Sequence, residues 1–302
     1  MAPRRLLAAD AAHALLASAP LLEAGATPRA EVFFDDFSGS ELDRSKWTVE
    51  VTGENFGTVN QEQQAYVDSP DTIYLDQDPS TGASNGALAL HPRFEPGHQA
   101  PDGQTYDFIS GRIKTQDKVE FTYGRYSARL KLPENATASG LWPAWWSLGA
   151  NIDAGKPWPE CGEIDVMEHV GEPWTSSALH GPEYHGDTPF TKRQNFDGKD
   201  PADWHVYEVD WAPDGLTFFV DDTETYRVTK QEIESKGWTW AYDDPQFLIL
   251  NFALGGGYPN GVNGVTEPYF GLPQSTVDKV AAGNVRYLVD WVRVVPVAGA
   301  LS

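Results

Sequence analysis

In the stretch Cys161-Gly162-Glu163-Ile164-Asp165-Val166-Met167-Glu168-His169-Val170, three carboxylates fall within a short segment that otherwise reads as a strand. Ile164, Val166 and Met167 are apolar, and Gly162 and Gly171 bound the run. Like charges gathered on one surface repel, so such a cluster suggests chemistry. Two carboxyl groups of opposite character suit glycosidic bond cleavage: one, ionised, attacks or stabilises the sugar cation, and the other, protonated, donates to the leaving oxygen. Asp165 between the two glutamates could bond one of them and hold their pKa values apart.

The strand must aim these groups. Alternate residues of a pleated strand share a face, which puts Glu163 and Asp165 together and sends Glu168 to the far side. One extra residue in the Val166-Met167 region, a bulge, returns Glu168 to the carboxylate face. The two glutamate backbones then lie ~13 Å apart, and their side chains approach the ~5 Å of a retaining pair only on a concave sheet. From spacing alone a second reading stands equally: an acid-studded, solvent-facing strand in a very acidic protein.

The elements around this segment read as short strands separated by turn residues. Trp204 to Trp211 alternates, Pro213-Asp214-Gly215 turns, and Leu216 to Val220 continues, a hairpin signature. Arg125 to Leu132 alternates too, Gly86 to Leu90 gives another strand, and helical periodicity is confined to a turn or two at Thr229 to Lys236. Many short strands with Gly, Pro and Asp turns predict an all-β sandwich or barrel. In Gly140-Leu141-Trp142-Pro143-Ala144-Trp145-Trp146-Ser147-Leu148-Gly149, Trp142, Ala144 and Trp146 share one face while Pro143 and Trp145 take the other.

Composition narrows the function. The net charge of −22 argues against nucleic acid, which requires a basic footprint, and makes a neutral polysaccharide easier to accommodate than an anionic one. Eleven Trp and 12 Tyr offer platforms for sugar C–H surfaces, although most such rings in a β protein are core. The single cysteine, Cys161, excludes an intrachain disulfide framework and multi-cysteine zinc, and reads as a small buried filler rather than a nucleophile. No stretch approaches the ~20 apolar residues of a membrane span. Residues 1–30 carry Arg4-Arg5 and an Ala17-Ser18-Ala19 site suggestive of export, interrupted by Asp10 and His13. Asn135-Ala136-Thr137 matches an N-glycosylation acceptor.

The segment Glu163-Ile164-Asp165-Val166-Met167-Glu168 resembles the bulged active-site strand of glycoside hydrolase family 16, in its laminarinase-like, endo-β-1,3-glucanase branch. Gly140 to Gly149 resembles that branch's tryptophan strand. Ser110-Gly111-Arg112-Ile113, Ala178-Leu179-His180-Gly181-Pro182, Leu250-Asn251-Phe252-Ala253-Leu254-Gly255-Gly256 and Val289-Asp290-Trp291-Val292-Arg293-Val294 match further segments, in family order from Val32 to Val295. The resemblance implies a β-jelly roll of two curved antiparallel sheets with a concave substrate cleft, as a single hydrolase domain over residues 31–298. It implies Glu163 as nucleophile, Glu168 as acid/base and Asp165 between them. Trp142 and Trp146 would wall the cleft, and His180 would bond Glu168 or a sugar hydroxyl. Arg112 and Asn60 would touch sugar hydroxyls, although Asn60-Gln61-Glu62-Gln63 departs from the family's N-x-E-L pattern. The chemistry requires no cofactor; a structural calcium is implied at Asp36, Gly86 and Asp290, where carboxylate and carbonyl oxygens suit that ion. The expected protein is a secreted monomer acting on β-glucan, with no nucleic-acid or membrane partner. The alternatives are a catalytically silent β-glucan-binding module and a relative acting on mixed-linkage glucan or galactan.

Overall fold

The computed structural model describes residues 32–134, 136–196 and 199–297. The export-like leader and Asn135 of the acceptor triplet lie outside the described residues. Two antiparallel sheets dominate. The first runs, edge to edge, Thr191–Asn195, Trp174–His180, Glu163–Glu168, Leu141–Gly149, Gln246–Leu254, Arg112–Lys114 and Thr48–Val49. The second runs Thr223–Thr229, Gly215–Val220, Trp204–Ala212, Gly124–Lys131, Tyr287–Val295, Ala87–Leu90 and Ile73–Asp76, with Phe33–Asp35 also pairing on Tyr287–Val295. This is the expected sandwich, and the Trp204–Ala212/Gly215–Val220 hairpin closes where Ala212 faces Gly215.

Period-two alternation builds the core. Trp145, Ile164, Val166, Met167, Leu248, Leu250 and Phe252 of the first sheet share one buried cluster with Tyr126, Leu130, Val209, Trp211 and Val289 of the second. The opposite face of the first sheet carries Glu163, Asp165, Glu168 and Trp146. Glycines set both ends of the acidic strand. Gly162 (φ 78°) and Gly171 (φ 81°) are left-handed, and a Cβ on either would fall 2.4 Å from the Ala241 carbonyl or 2.1 Å from the Ala138 carbonyl.

Helix is scarcer than strand but exceeds the turn or two expected. Lys230–Glu234 falls where the sequence places a turn or two, and it starts on a Thr229/Glu232 capping box. Gly257–Asn263 and Gln274–Ala281 are additional. The latter buries Thr276, Val277 and Val280, an i, i+1, i+4 face too short to stand out in sequence.

The positions expected to hold calcium surround the 84–86 loop, but their oxygens are engaged. Asp290 is fully buried; its Oδ1 accepts the Ser84 N–H at 2.7 Å, its Oδ2 accepts the Ser84 hydroxyl at 2.9 Å, and Arg129 pairs with the same carboxylate. Asp36 accepts from the Ser38 N–H and from Asn85 Nδ2, and the space beside Gly86 is filled by the Gln77 amide. A guanidinium already neutralising Asp290 does not fit a dication at the same oxygens. The calcium expected at Asp36, Gly86 and Asp290 is therefore not supported by this arrangement.

Candidate active site

The acidic strand carries the bulge its sequence requires. Against Trp174–His180, Asp165 faces Ala178 and Glu168 faces Ser176, so three steps on one strand span two on the other. Against Leu141–Gly149, Asp165 faces Trp146 and Met167 faces Trp145, which leaves Val166 as the residue without a partner. Val166 and Met167 both enter the core in succession, and Glu168 regains the face of Glu163 and Asp165.

Burial governs the electrostatics. Desolvation pushes Glu163 and Glu168 each up to about 8, with the neighbouring Asp165 carboxylate adding to the rise, and Asp165 itself is raised to about 8 by burial. Two groups oppose this on Glu168: the His180 imidazole and the Trp142 indole N–H, which donates to Glu168 Oε1 at 3.0 Å. On Glu163 the opposing groups are His180 and the Trp158 indole. Three carboxyls in such a site cannot all be ionised near neutrality, so the cluster retains protons to donate. His180 faces Glu163 across the strands, and its Nε2 lies 3.2 Å from Asp165 Oδ2 and 3.7 Å from Glu163 Oε1. It therefore accompanies the first two acids rather than Glu168. Glu163, Asp165 and His180 also form a group spaced to share an ion; their placement beside Glu168 suits proton chemistry without one. Cys161 is buried, and desolvation with the adjacent Glu163 pushes its thiol up to about 11, which leaves it inert as a nucleophile.

The same face extends across the sheet. Glu168, Ala144, Asn251 and Arg112 lie opposite one another on four successive strands. Arg112 is buried, paired with Glu50 and flanked by the rings of Phe56 (4.5 Å), Trp146 (4.9 Å) and Tyr66 (5.9 Å). Trp146 is half-buried and donates its indole N–H to Asn251 Oδ1 at 2.7 Å. Asn60 is exposed at a left-handed loop position (φ 53°), two residues before the buried Glu62. Trp142 is on the expected face, but only 9% of it is exposed, because Trp174, Val170, Ala253 and the edge of Tyr258 cover the ring. Its contribution runs through the indole N–H on Glu168 rather than through an open stacking surface.

Two aromatic residues at the site escape a sequence reading. Trp158 is 42% exposed, with its ring 6.2 Å from His180, and its indole works against the rise that burial imposes on Glu163. Its only sequence signal is its position five residues before Glu163. Tyr258 reaches the site from a helix and bonds Ser176 at 2.9 Å.

The faces of the tryptophan strand separate binding from stability. Trp145→Ala is expected to cost ~3–5 kcal/mol, as for other buried aromatic truncations. Trp146→Ala should leave the melting temperature nearly unchanged while weakening retention on laminarin in affinity electrophoresis, on the order of 1 kcal/mol per lost ring contact. Equal melting losses for the two variants would mean that the strand's faces are misassigned.

A family model described as glycosyl hydrolases family 16 matches residues 52–268. The chain belongs to this family. It is 32% identical over 254 residues to the glucan endo-1,3-beta-glucosidase A1 of Niallia circulans, covering 76% of this chain but 34% of that protein. The chain thus spans about a third of that relative. It is also 33% identical over 254 residues to the beta-glucanase of Rhodothermus marinus, covering 79% of this chain and 80% of that one. Among solved structures, an endo-beta-1,3-glucanase from Pyrococcus furiosus superposes with a TM-score of 0.74 at 34% identity, over 88% of this chain and 94% of the other. Membership in family 16 accounts for the sandwich.

Proposed function

We propose that this family 16 glycoside hydrolase is an endo-acting, retaining enzyme that cleaves β-1,3-glucosidic bonds in β-glucans such as laminarin. The observation that carries the reading is the bulged strand: it puts Glu163, Asp165 and Glu168 on one face, with Glu168 held by the Trp142 indole. The names of the similar Niallia and Pyrococcus proteins support the linkage. Glu163 attacks the anomeric carbon while Glu168, protonated, gives its proton to the leaving oxygen; Glu168 then takes a proton from the water that releases the sugar. Asp165 and His180 stand beside Glu163 and share the proton load. A silent binding module would have no use for three clustered acids, one buried and two half-buried, whose pKa values are all raised at a cost to stability. The reading includes a secreted monomer with one hydrolase domain over 31–298.

Retention follows if the two glutamates act as a close pair, since no water then fits between them and the sugar. Proton NMR of the first products from laminarin is expected to show the β-anomer; an initial α-anomer would sink the geometry. Product analysis on laminarin, mixed-linkage glucan, agarose and xyloglucan tests the substrate, with laminarin expected to be cleaved fastest.

A further inference from the structure

Glu62 is a buried acid beside the open face that the chemistry leaves unused and that, unlike Glu50, has no salt-bridge partner among the described residues. Glu62 is 7% exposed, and its Oε2 accepts from Gln64 Nε2 at 2.8 Å and from the Tyr66 hydroxyl at 3.1 Å. The Tyr66 oxygen in turn accepts from Asn251 Nδ2 at 3.0 Å, and Asn251 Oδ1 accepts from the Trp146 indole at 2.7 Å.

The direction of every bond in this chain is determined. An indole N–H only donates, so the Asn251 oxygen must face Trp146 and its NH₂ must face Tyr66. Tyr66 then accepts from Asn251, and its single proton is left for Glu62. On the other arm the Leu254 backbone N–H donates to Gln64 Oε1 at 2.7 Å, which turns the Gln64 NH₂ to Glu62 as well. Both arms begin at an obligate donor and end on the same carboxylate oxygen. Any side chain without an acceptor there strands the Tyr66 proton in a buried site and frees the Asn251 amide to flip.

We infer that Glu62 is a positioning residue for glucan binding: as the acceptor ending the Trp146–Asn251–Tyr66 relay, it fixes the Trp146 ring against Arg112. Asn251 and Arg112 face each other across neighbouring strands, so a flipped amide disturbs both cleft residues together. The inference rests on the proposed glucanase reading for its effect on substrate, but not for the relay itself.

Glu62→Leu and Tyr66→Phe are each expected to raise KM for laminarin oligosaccharides about tenfold while kcat falls less than threefold. Because they cut one chain, the double variant should be no worse than either alone, and Tyr66→Phe should add nothing in a Trp146→Ala background. Glu62→Gln, which keeps an acceptor oxygen, should restore KM to within about threefold of the parent. A merely structural Glu62 would instead give multiplying KM effects, or a Glu62→Gln variant as impaired as Glu62→Leu; either overturns the inference. A second readout needs no substrate. The indole N–H resonance of Trp146, assigned by its loss in Trp146→Ala, should move in Tyr66→Phe and in Glu62→Gln less than in Glu62→Leu. An unmoved resonance in Tyr66→Phe overturns the relay. A parent protein inactive on laminarin but showing these shifts would overturn the substrate reading and leave the relay standing.

Discussion

Glu163→Gln is expected to lower laminarin turnover by on the order of 10⁴-fold or more, because a retaining route has no path around its nucleophile. The loss should persist on aryl glycosides with good leaving groups, since these relieve the need for an acid but not for an attacking carboxylate. Glu168→Ala should behave differently. It should retain activity on activated glycosides and be partly rescued by azide, which enters the vacated space and attacks the glycosyl-enzyme without needing a base, giving a β-glycosyl azide. The pH dependence carries the same assignment. Burial holds the Glu168 proton up to about 8, so turnover should fall as pH rises through that region and the acid is lost. In the azide-rescued variant that alkaline fall should disappear, because the titrating acid is gone. Near-normal activity of Glu163→Gln, or an alkaline limb unchanged in Glu168→Ala, would mean that the roles are misassigned.

Raised carboxyl pKa values also couple the site to stability. Ordinary Glu and Asp titrate near 4, and all three acids here are raised to about 8 by burial. The folded state therefore binds protons more tightly than the unfolded chain across that interval, and stability is lost as pH rises from about 4 to 8. The active strand is thus weakest where its nucleophile is ionised, which is the sense in which function opposes stability here.

What the sequence conveyed about this site follows its local regularities. Period-two alternation suffices to separate Trp145 from Trp142 and Trp146, because neighbouring side chains on a strand must point oppositely. The need for an extra residue near Val166-Met167 is visible for the same reason: without it Glu168 faces the core. Which of the two residues is extra is not visible, since Val and Met are both apolar and the choice depends on the register against Trp145 and Trp146. Contacts between distant segments are hidden in the same way. Tyr258 covers Trp142 from 116 positions away in number, and Arg129 reaches Asp290 from a different strand. His180 illustrates the limit of a motif: its position beside the acids is readable, but its pairing with Asp165 and Glu163 instead of Glu168 depends on inter-strand register. Glu62 illustrates another. Its loop draws attention for the residues it lacks, while its importance lies in the tyrosine and asparagine it meets.

Removing the bulge should leave a folded protein with severely reduced activity. Deleting Val166, the residue without a partner opposite Trp145 and Trp146, leaves Met167 facing Trp145 and converts the strand to unbroken alternation. Glu163, Asp165 and the shifted Glu168 still share a face, and Ile164 and Met167 still enter the core. Losing one buried valine costs roughly 1.5–3 kcal/mol of burial, and the Ser177 hydroxyl loses its acceptor, the Val166 carbonyl at 2.9 Å. A melting temperature lowered by several degrees is expected for a domain of this size. Activity should fall much further. The extra residue tightens the local twist and aims Glu168, and a displacement of ~1 Å in a catalytic group can cost ~100-fold in rate. Val166→Ala separates the two effects, because it removes core volume and keeps the bulge: it should share the melting loss and retain most of the activity below its transition. Circular dichroism melts with a reducing-sugar assay on laminarin measure both. An unfolded deletion would mean that Val166 is an ordinary paired core residue, and undiminished activity would mean that the bulge does not set the distance between the two glutamates.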